Sequence, residues 1–203
     1  MKTLLFTISI LLLGITEGFS QTLTKLNYYE ETKTFVKDGY TYQCDVPVYK
    51  LITLYNKENK WTYEDMIYKS TGKYYAPSIS EEKKLNPIID DKEMTQKVLF
   101  IVDNAFTKDM TKEFGENRLH TTMYLDPNTG KVVEVNFQFT TFSPYAQIPL
   151  SVYRNIEIQL KEKISYTPTE VGKQLNYIML SWGQIPKGYK PFPTIDSTDE
   201  LLP

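Results

Sequence analysis

The stretch from Arg118 to Phe139 constrains the fold of this chain more than any other. Leu119, Thr121, Met123 and Leu125 alternate with Arg118, His120, Thr122 and Tyr124. After Asp126-Pro127-Asn128-Thr129-Gly130, Val133, Val135, Phe137 and Phe139 alternate with Val132, Glu134, Asn136 and Gln138. Successive side chains of a strand point to opposite faces, so this is a predicted hairpin with one dry and one polar face. The dry face needs a cover, and the sequence supplies one next. Val152, Ile156, Leu160 and Ile164 recur every four residues, the spacing of one helical stripe. Asp126, Asn128 and Gly130 faintly match a calcium loop. The further acidic ligands and the closing glutamate are missing, and turn chemistry accounts for all three.

Upstream, residues 33–46 form a second predicted hairpin around Asp38-Gly39. It places Tyr40, Tyr42, Cys44 and Val46 on one face and Thr41, Gln43 and Asp45 on the other. Candidate strands at 48–55 and 60–68, separated by Asn56-Lys57-Glu58-Asn59, extend it into a meander. Ten of the sixteen tyrosines lie between Tyr28 and Tyr75. Aromatic residues favour strands, so this is a tyrosine-rich sheet. Alternation fails over 69–91, where Gly72, Pro77, Pro87 and the charged run 81–84 mark a connector.

Asp90, as cap, and Glu93 then open a predicted helix with the stripe Met94, Val98, Ile101, Val102, Ala105. The five apolar residues 98–102 alone would equally suit a buried strand; the cap and the stripe favour the helix. Thr107 restarts a short helix carrying Met110 and Phe114, which Gly115 stops. Thr167-Pro168-Thr169-Glu170 has the pattern of one capped helical turn. Residues 174–182, apolar on both faces, have the pattern of a central strand. The expected architecture is α+β: an N-terminal antiparallel tyrosine-rich β-meander (21–80), a connector (81–91) and an α-β-β-α-β lobe (92–183). A loose proline-containing tail (184–203) follows.

The first twenty residues read as an export signal. Lys2 is followed by an apolar run from Leu4 to Ile15, then by small residues at Gly18 and Ser20, with Gln21 as the new first residue. The run is too short to span about 30 Å of hydrocarbon, so cleavage after Ser20 is expected rather than anchoring. No later run is long enough for a transmembrane segment. This address points to the periplasm or the cell surface of a Gram-negative-type cell. The signal carries one Lys and one Glu, so the formal net charge of −2 is retained after its removal. A near-neutral chain lacks the basic patch that a nucleic-acid partner requires. With one cysteine and one histidine, Cys44 and His120, a zinc or copper site built on His and Cys ligands is not expected, and no internal disulfide is possible. No cofactor motif is present.

The order from residue 92 combines with Gly130-Lys131-Val132-Val133-Glu134-Val135 and Tyr166-Thr167-Pro168-Thr169. Together they resemble the carboxy-terminal domain of TonB-type periplasmic energy transducers. The anchor and proline-rich spacer that precede that domain in the transducers are missing from this sequence, so their role is not carried over. Over its whole length the chain is similar to a family of uncharacterised secreted bacterial proteins known as a domain of unknown function. The residues that carry this are Leu54-Tyr55-Asn56-Lys57-Glu58-Asn59-Lys60 and Gly172-Lys173-Gln174-Leu175-Asn176-Tyr177-Ile178. That resemblance implies no activity.

Nucleophilic catalysis finds little support. His120 is the sole imidazole, no serine sits in a Gly-x-Ser-x-Gly turn, and Cys44 lies on an apolar strand face. A small glycoside hydrolase needs only a carboxylate pair near an aromatic platform. Glu30, Glu31, Glu64, Asp65 and Glu134 are candidates, with Trp61 or Tyr63 beside them. On the polar hairpin face an even register sets His120 opposite Asn136 or Gln138 and Glu134 opposite Tyr124 or Thr122. Arg118, His120, Tyr124, Glu134 and Gln138, with Trp61 and Tyr63 from the meander, are therefore the candidate binding residues. The face is either a recognition patch or the solvated side of a sheet. The tyrosines either meet a ligand or form core. The favoured function is a non-enzymatic binding or assembly module whose partner is an envelope protein or a glycan; the alternative is the hydrolase.

Overall fold

The structure, a computed structural model, describes residues 26–37, 39–78, 80–81 and 84–188. The expected signal and its cleavage point, Asp38 of the first turn, part of the 81–84 charged run and the tail from 189 lie outside the described residues.

The strands are β1 (Lys33–Lys37), β2 (Tyr40–Asp45), β3 (Leu51–Asn56), β4 (Leu119–Leu125), β5 (Val132–Thr140) and β6 (Ile178–Gln184). The helices are α1 (Lys92–Asn104), α2 (Lys108–Thr111) and α3 (Leu150–Lys163). All six strands form one antiparallel sheet in the order β1-β2-β3-β5-β4-β6. The fold is α+β, with N-terminal strands followed by helices and strands. The meander and the later strands meet through β3 and β5, where Leu54 faces Phe137 and Ile52 faces Phe139.

The dry face is that of the predicted alternation except at a bulge in β5, where Val132 and not Val133 is buried on it, paired with Leu125. Tyr42, Cys44, Ile52, Leu54, Leu119, Met123, Val135, Phe137 and Phe139 are buried on it. α3 covers it with Tyr153, Ile156 and Leu160; the Tyr153 ring stacks on Phe139 at 5.3 Å and tilts against Phe137 at 5.1 Å. At the hairpin turn, Asp126 Oδ1 accepts from the amides of Asn128 (3.0 Å) and Thr129 (2.7 Å). Gly130 sits at φ +70°, and a Cβ there would lie 1.7 Å from the Tyr166 carbonyl oxygen, so both conformation and space demand glycine.

Four local expectations are corrected. The α1 cap is Asp91, whose side chain accepts from the Met94 amide at 2.9 Å, not Asp90. Residues 60–68 are not a strand. The place beside β3 is taken by β5, so the chain beyond Asn56 crosses the polar face as turns, with isolated bridges at Ile67–Tyr74 and Tyr68–Leu175. The 174–182 stretch yields β6, an edge strand rather than a central one. Ile178, Leu180 and Trp182 serve the dry face, while Met179 is exposed on the other. Pro168 bridges Ile88 instead of opening a helix. The short turn starts later, at Gly172–Gln174, with Thr169 Oγ1 accepting the Gly172 amide.

Candidate polar face of the sheet

Register lines up one row of residues across the polar face: Asp45 of β2, Thr53 of β3, Gln138 of β5, His120 of β4 and Gly183 of β6. A second row holds Gln43, Tyr55, Asn136, Thr122 and Ser181. At the β6 end, the His120 ring lies over bare backbone: a Cβ on Gly183 would come within 2.9 Å of it. Arg118 Nη1 donates to the Gly183 carbonyl at 3.0 Å.

At the β2 end, the Tyr55 and Tyr63 hydroxyls both donate to Asp45 Oδ2, at 2.9 and 2.7 Å, and their rings meet edge to face at 5.7 Å. Gln43 Nε2 donates to Oδ1 of the same carboxylate at 2.9 Å. Burial first, then the hydrogen bond to Asp45, pushes the Tyr55 phenol up to about 12, and the same causes raise Tyr63 further. Both remain protonated donors that hold Asp45 as a fixed acceptor. The Tyr63 side of this group is open, with the residue 66% exposed.

The other end of the face is roofed by residues 57–66. Glu134 accepts the amides of Lys60 (2.8 Å) and Trp61 (2.9 Å) on its two oxygens. Asn59 Nδ2 donates to the Val135 carbonyl at 2.9 Å, and the Tyr124 hydroxyl donates to that of Thr62 at 3.2 Å. Trp61 stacks on Tyr177 at 5.2 Å and 23°.

The seven candidate residues thus divide. His120 sits opposite Gln138 and Glu134 opposite Tyr124, each an option that even spacing allows. Arg118, His120 and Tyr63 are exposed; Gln138 and Trp61 are half-buried. Tyr124 and Glu134 are buried beneath the roof. Asp45, Thr53, Tyr55 and Asn136 join them without having been singled out. The 40–46 alternation put Asp45 on the polar side, but only the β3–β5 pairing carries it into line with Gln138. Asn136, also buried, leaves its Oδ1 without a hydrogen-bond partner.

Among the candidate carboxylates, Glu64, Asp65 and Glu134 lie around Tyr177. Burial, and then the charges of Asp65, Glu64 and Glu134, push that phenol up to about 12. Glu30 and Glu31 lie apart, at a corner shared with Asn27, Lys50 and Thr141. Among the described residues, no three His, Cys, Asp or Glu side chains gather as a metal-binding group, and no helix is long and apolar enough to cross a membrane.

No curated protein matches the chain. A crystal structure of a DUF5043 family protein from Bacteroides uniformis ATCC 8492 is 56% identical in sequence and superposes with a TM-score of 0.76, covering 81% of this chain and 96% of that one. The family model for the domain of unknown function DUF5043 matches residues 25–182, which span the whole sheet as far as Trp182 of β6. The chain belongs to the DUF5043 family.

Proposed function

We propose that this protein is an exported, non-enzymatic glycan-binding module of the cell envelope, and that it binds through the polar face of its sheet. The observation that carries the reading is Tyr63. An exposed aromatic ring is braced by Tyr55 and Asp45 beside an open row of Gln138 and His120. Sugars present a C–H face to an aromatic ring and hydroxyls around their rim, so a fixed ring edged by mixed donors and acceptors suits them. Export rests on the order of charged start, short apolar run and small-residue pair in residues 1–20.

Two measurements test this. Intact mass of protein recovered from the producing cell should begin at Gln21, allowing for loss of ammonia on cyclisation; retention of residues 1–20 would reject export. Binding to immobilised envelope polysaccharides should fall about tenfold or more in Tyr63→Ala, the loss expected of an aromatic anchor at a binding surface. Saccharide binding unaffected by Tyr63→Ala, or binding to envelope proteins alone, would reject the glycan assignment to this face.

A further inference from the structure

β3 stops at Asn56, whereas its neighbour β5 runs on to Val132. The overhanging part of β5 is bent by a bulge: Tyr124 faces Glu134 and Leu125 faces Val132, which leaves Val133 as the extra residue. Bulges re-aim side chains and recur beside functional sites. The turn that follows β3 folds over the overhang without filling it. What remains is a pocket of about 250 Å³, whose walls include Glu58, Lys60, Trp61, Val133, Glu134 and Lys161.

Part of the wall is held in place. Glu134 is held by the amides of Lys60 and Trp61, and the Trp61 ring is backed by Tyr177. Lys161 Nζ is drawn to Glu157 Oε1 at 3.2 Å. Glu157 is itself buried and accepts the Tyr42 hydroxyl. Two cationic and two anionic side chains therefore line the pocket beside Trp61, with Glu157 behind Lys161. An anion would face Glu58 and Glu134, and a cation would face Lys60 and Lys161. An apolar guest would strip water from all four charges with nothing in return. A neutral ring carrying several hydroxyls satisfies both signs, because each hydroxyl donates and accepts. The volume lies just below the roughly 300–1,000 Å³ of sites for drug-sized ligands, so it holds one ring rather than a chain.

We propose that this pocket is a subsite for a single uncharged sugar residue at the end of the glycan whose chain lies on the polar face. The inference rests on the glycan reading above, and the test separates the two. The probes are the methyl glycosides of glucose, galactose, mannose and N-acetylglucosamine, with glucuronate as the charged counterpart and oligosaccharides of the neutral sugars. The readout is the Trp61 indole N–H resonance of the full chain, with Trp182 on the opposite face of the sheet as reference. At least one neutral monosaccharide should shift Trp61 saturably. Lys60→Met and Glu58→Ala, both at exposed positions, should each weaken that binding about tenfold, the scale of one charge-assisted hydrogen bond. Tyr63→Ala should leave it unchanged while weakening the oligosaccharides. Oligosaccharide binding that depends on Tyr63 but is indifferent to Lys60 and Glu58 overturns the subsite and leaves the face standing. A shift with glucuronate alone overturns the uncharged assignment. No binding of any saccharide overturns both readings.

Discussion

Truncating Phe137 tests whether the dry face is the centre of the fold. The ring is fully buried in β5, opposite Leu54 on one side and Thr121 on the other, with the Tyr153 ring of α3 5.1 Å away. Phe137→Ala returns on the order of 120–150 Å² of apolar area to the cost side, about 3 kcal/mol at roughly 25 cal/mol per Å². Loss of the aromatic pair with Tyr153 adds about 0.5–1.5 kcal/mol. The total falls within the roughly 3–5 kcal/mol seen when buried rings are removed. With a urea slope of about 2 kcal/mol/M, the unfolding midpoint should drop by roughly 2 M at unchanged slope. A fall of less than about 0.25 M would mean that α3 does not seal this strand, because a surface change costs within about 0.5 kcal/mol. A changed slope would point instead to an altered unfolded state.

His120→Ala, on the polar face of the neighbouring strand, should cost under about 0.5 kcal/mol in the same titration, since its ring is exposed over Gly183. Cys44 should resist a thiol reagent in the folded protein at neutral pH and react only on unfolding. Burial pushes its thiol up to about 12, and the residue is fully enclosed; rapid native labelling would place the β2 face in solvent. At Asp126, burial raises the carboxyl pKa, but hydrogen bonds from Thr129 and Asn128 outweigh it and the net shift is downward. A lowered folded value stabilises above the unfolded pKa of about 3.9 and loses that contribution as pH falls through the folded one. Asp126→Asn should therefore destabilise at pH 7 and lose its penalty as pH falls through the lowered folded value; a penalty that persists in strong acid would refute the charge-based account.

Much of the second half of the sheet was legible. The β4–β5 register follows from alternation plus a turn that needs glycine at position 130, and α3 follows from its four-residue stripe. Pairing between halves was not. Every dry strand has the same period of two, so nothing in 51–56 says that its neighbour is β5, more than eighty residues away, rather than the next segment. Residues 60–68 carry aromatic and β-branched residues suited to a strand and lack only a free place in the sheet. The candidate site divides for the same reason. Periodicity put Tyr124 and Glu134 on the polar face correctly, but it assigns a face and not what lies over it. Trp61 and Glu134 are both candidate residues, and the structure joins them through the Trp61 amide and the Glu134 carboxylate, a backbone contact that side-chain periodicity does not encode.

The abundance of tyrosine has a structural account. Several phenols reach across the fold to a backbone carbonyl: Tyr29 to Ile148 (3.0 Å), Tyr145 to Asn117 (2.9 Å), Tyr153 to Tyr145 (2.8 Å), Tyr75 to Leu85 (2.6 Å), and Tyr177 to Glu64. Each acceptor lies in a loop or short turn rather than in the sheet. The rings add to the core, and the hydroxyls pin connections that a chain with one cysteine cannot cross-link covalently. Tyr29→Phe isolates the pin. The ring and its packing against Phe139 and Tyr153 remain, while the buried Ile148 carbonyl loses its donor. The expected cost is about 1–3 kcal/mol, the penalty for an unsatisfied buried acceptor. Tyr74→Phe, at a residue 69% exposed, should cost within about 0.5 kcal/mol. Alkaline titration gives an independent check. Burial first, then the charges of Cys44 and Tyr28, raises the Tyr29 phenol, so its contribution is complete below the unfolded value of about 10 and is lost as pH rises above it. Tyr29→Phe should therefore lose less stability than the parent between about pH 10 and 12. If Tyr29→Phe were neutral at pH 7 and followed the parent through that range, the hydroxyl would contribute nothing, and the tyrosines would be explained by ring burial alone.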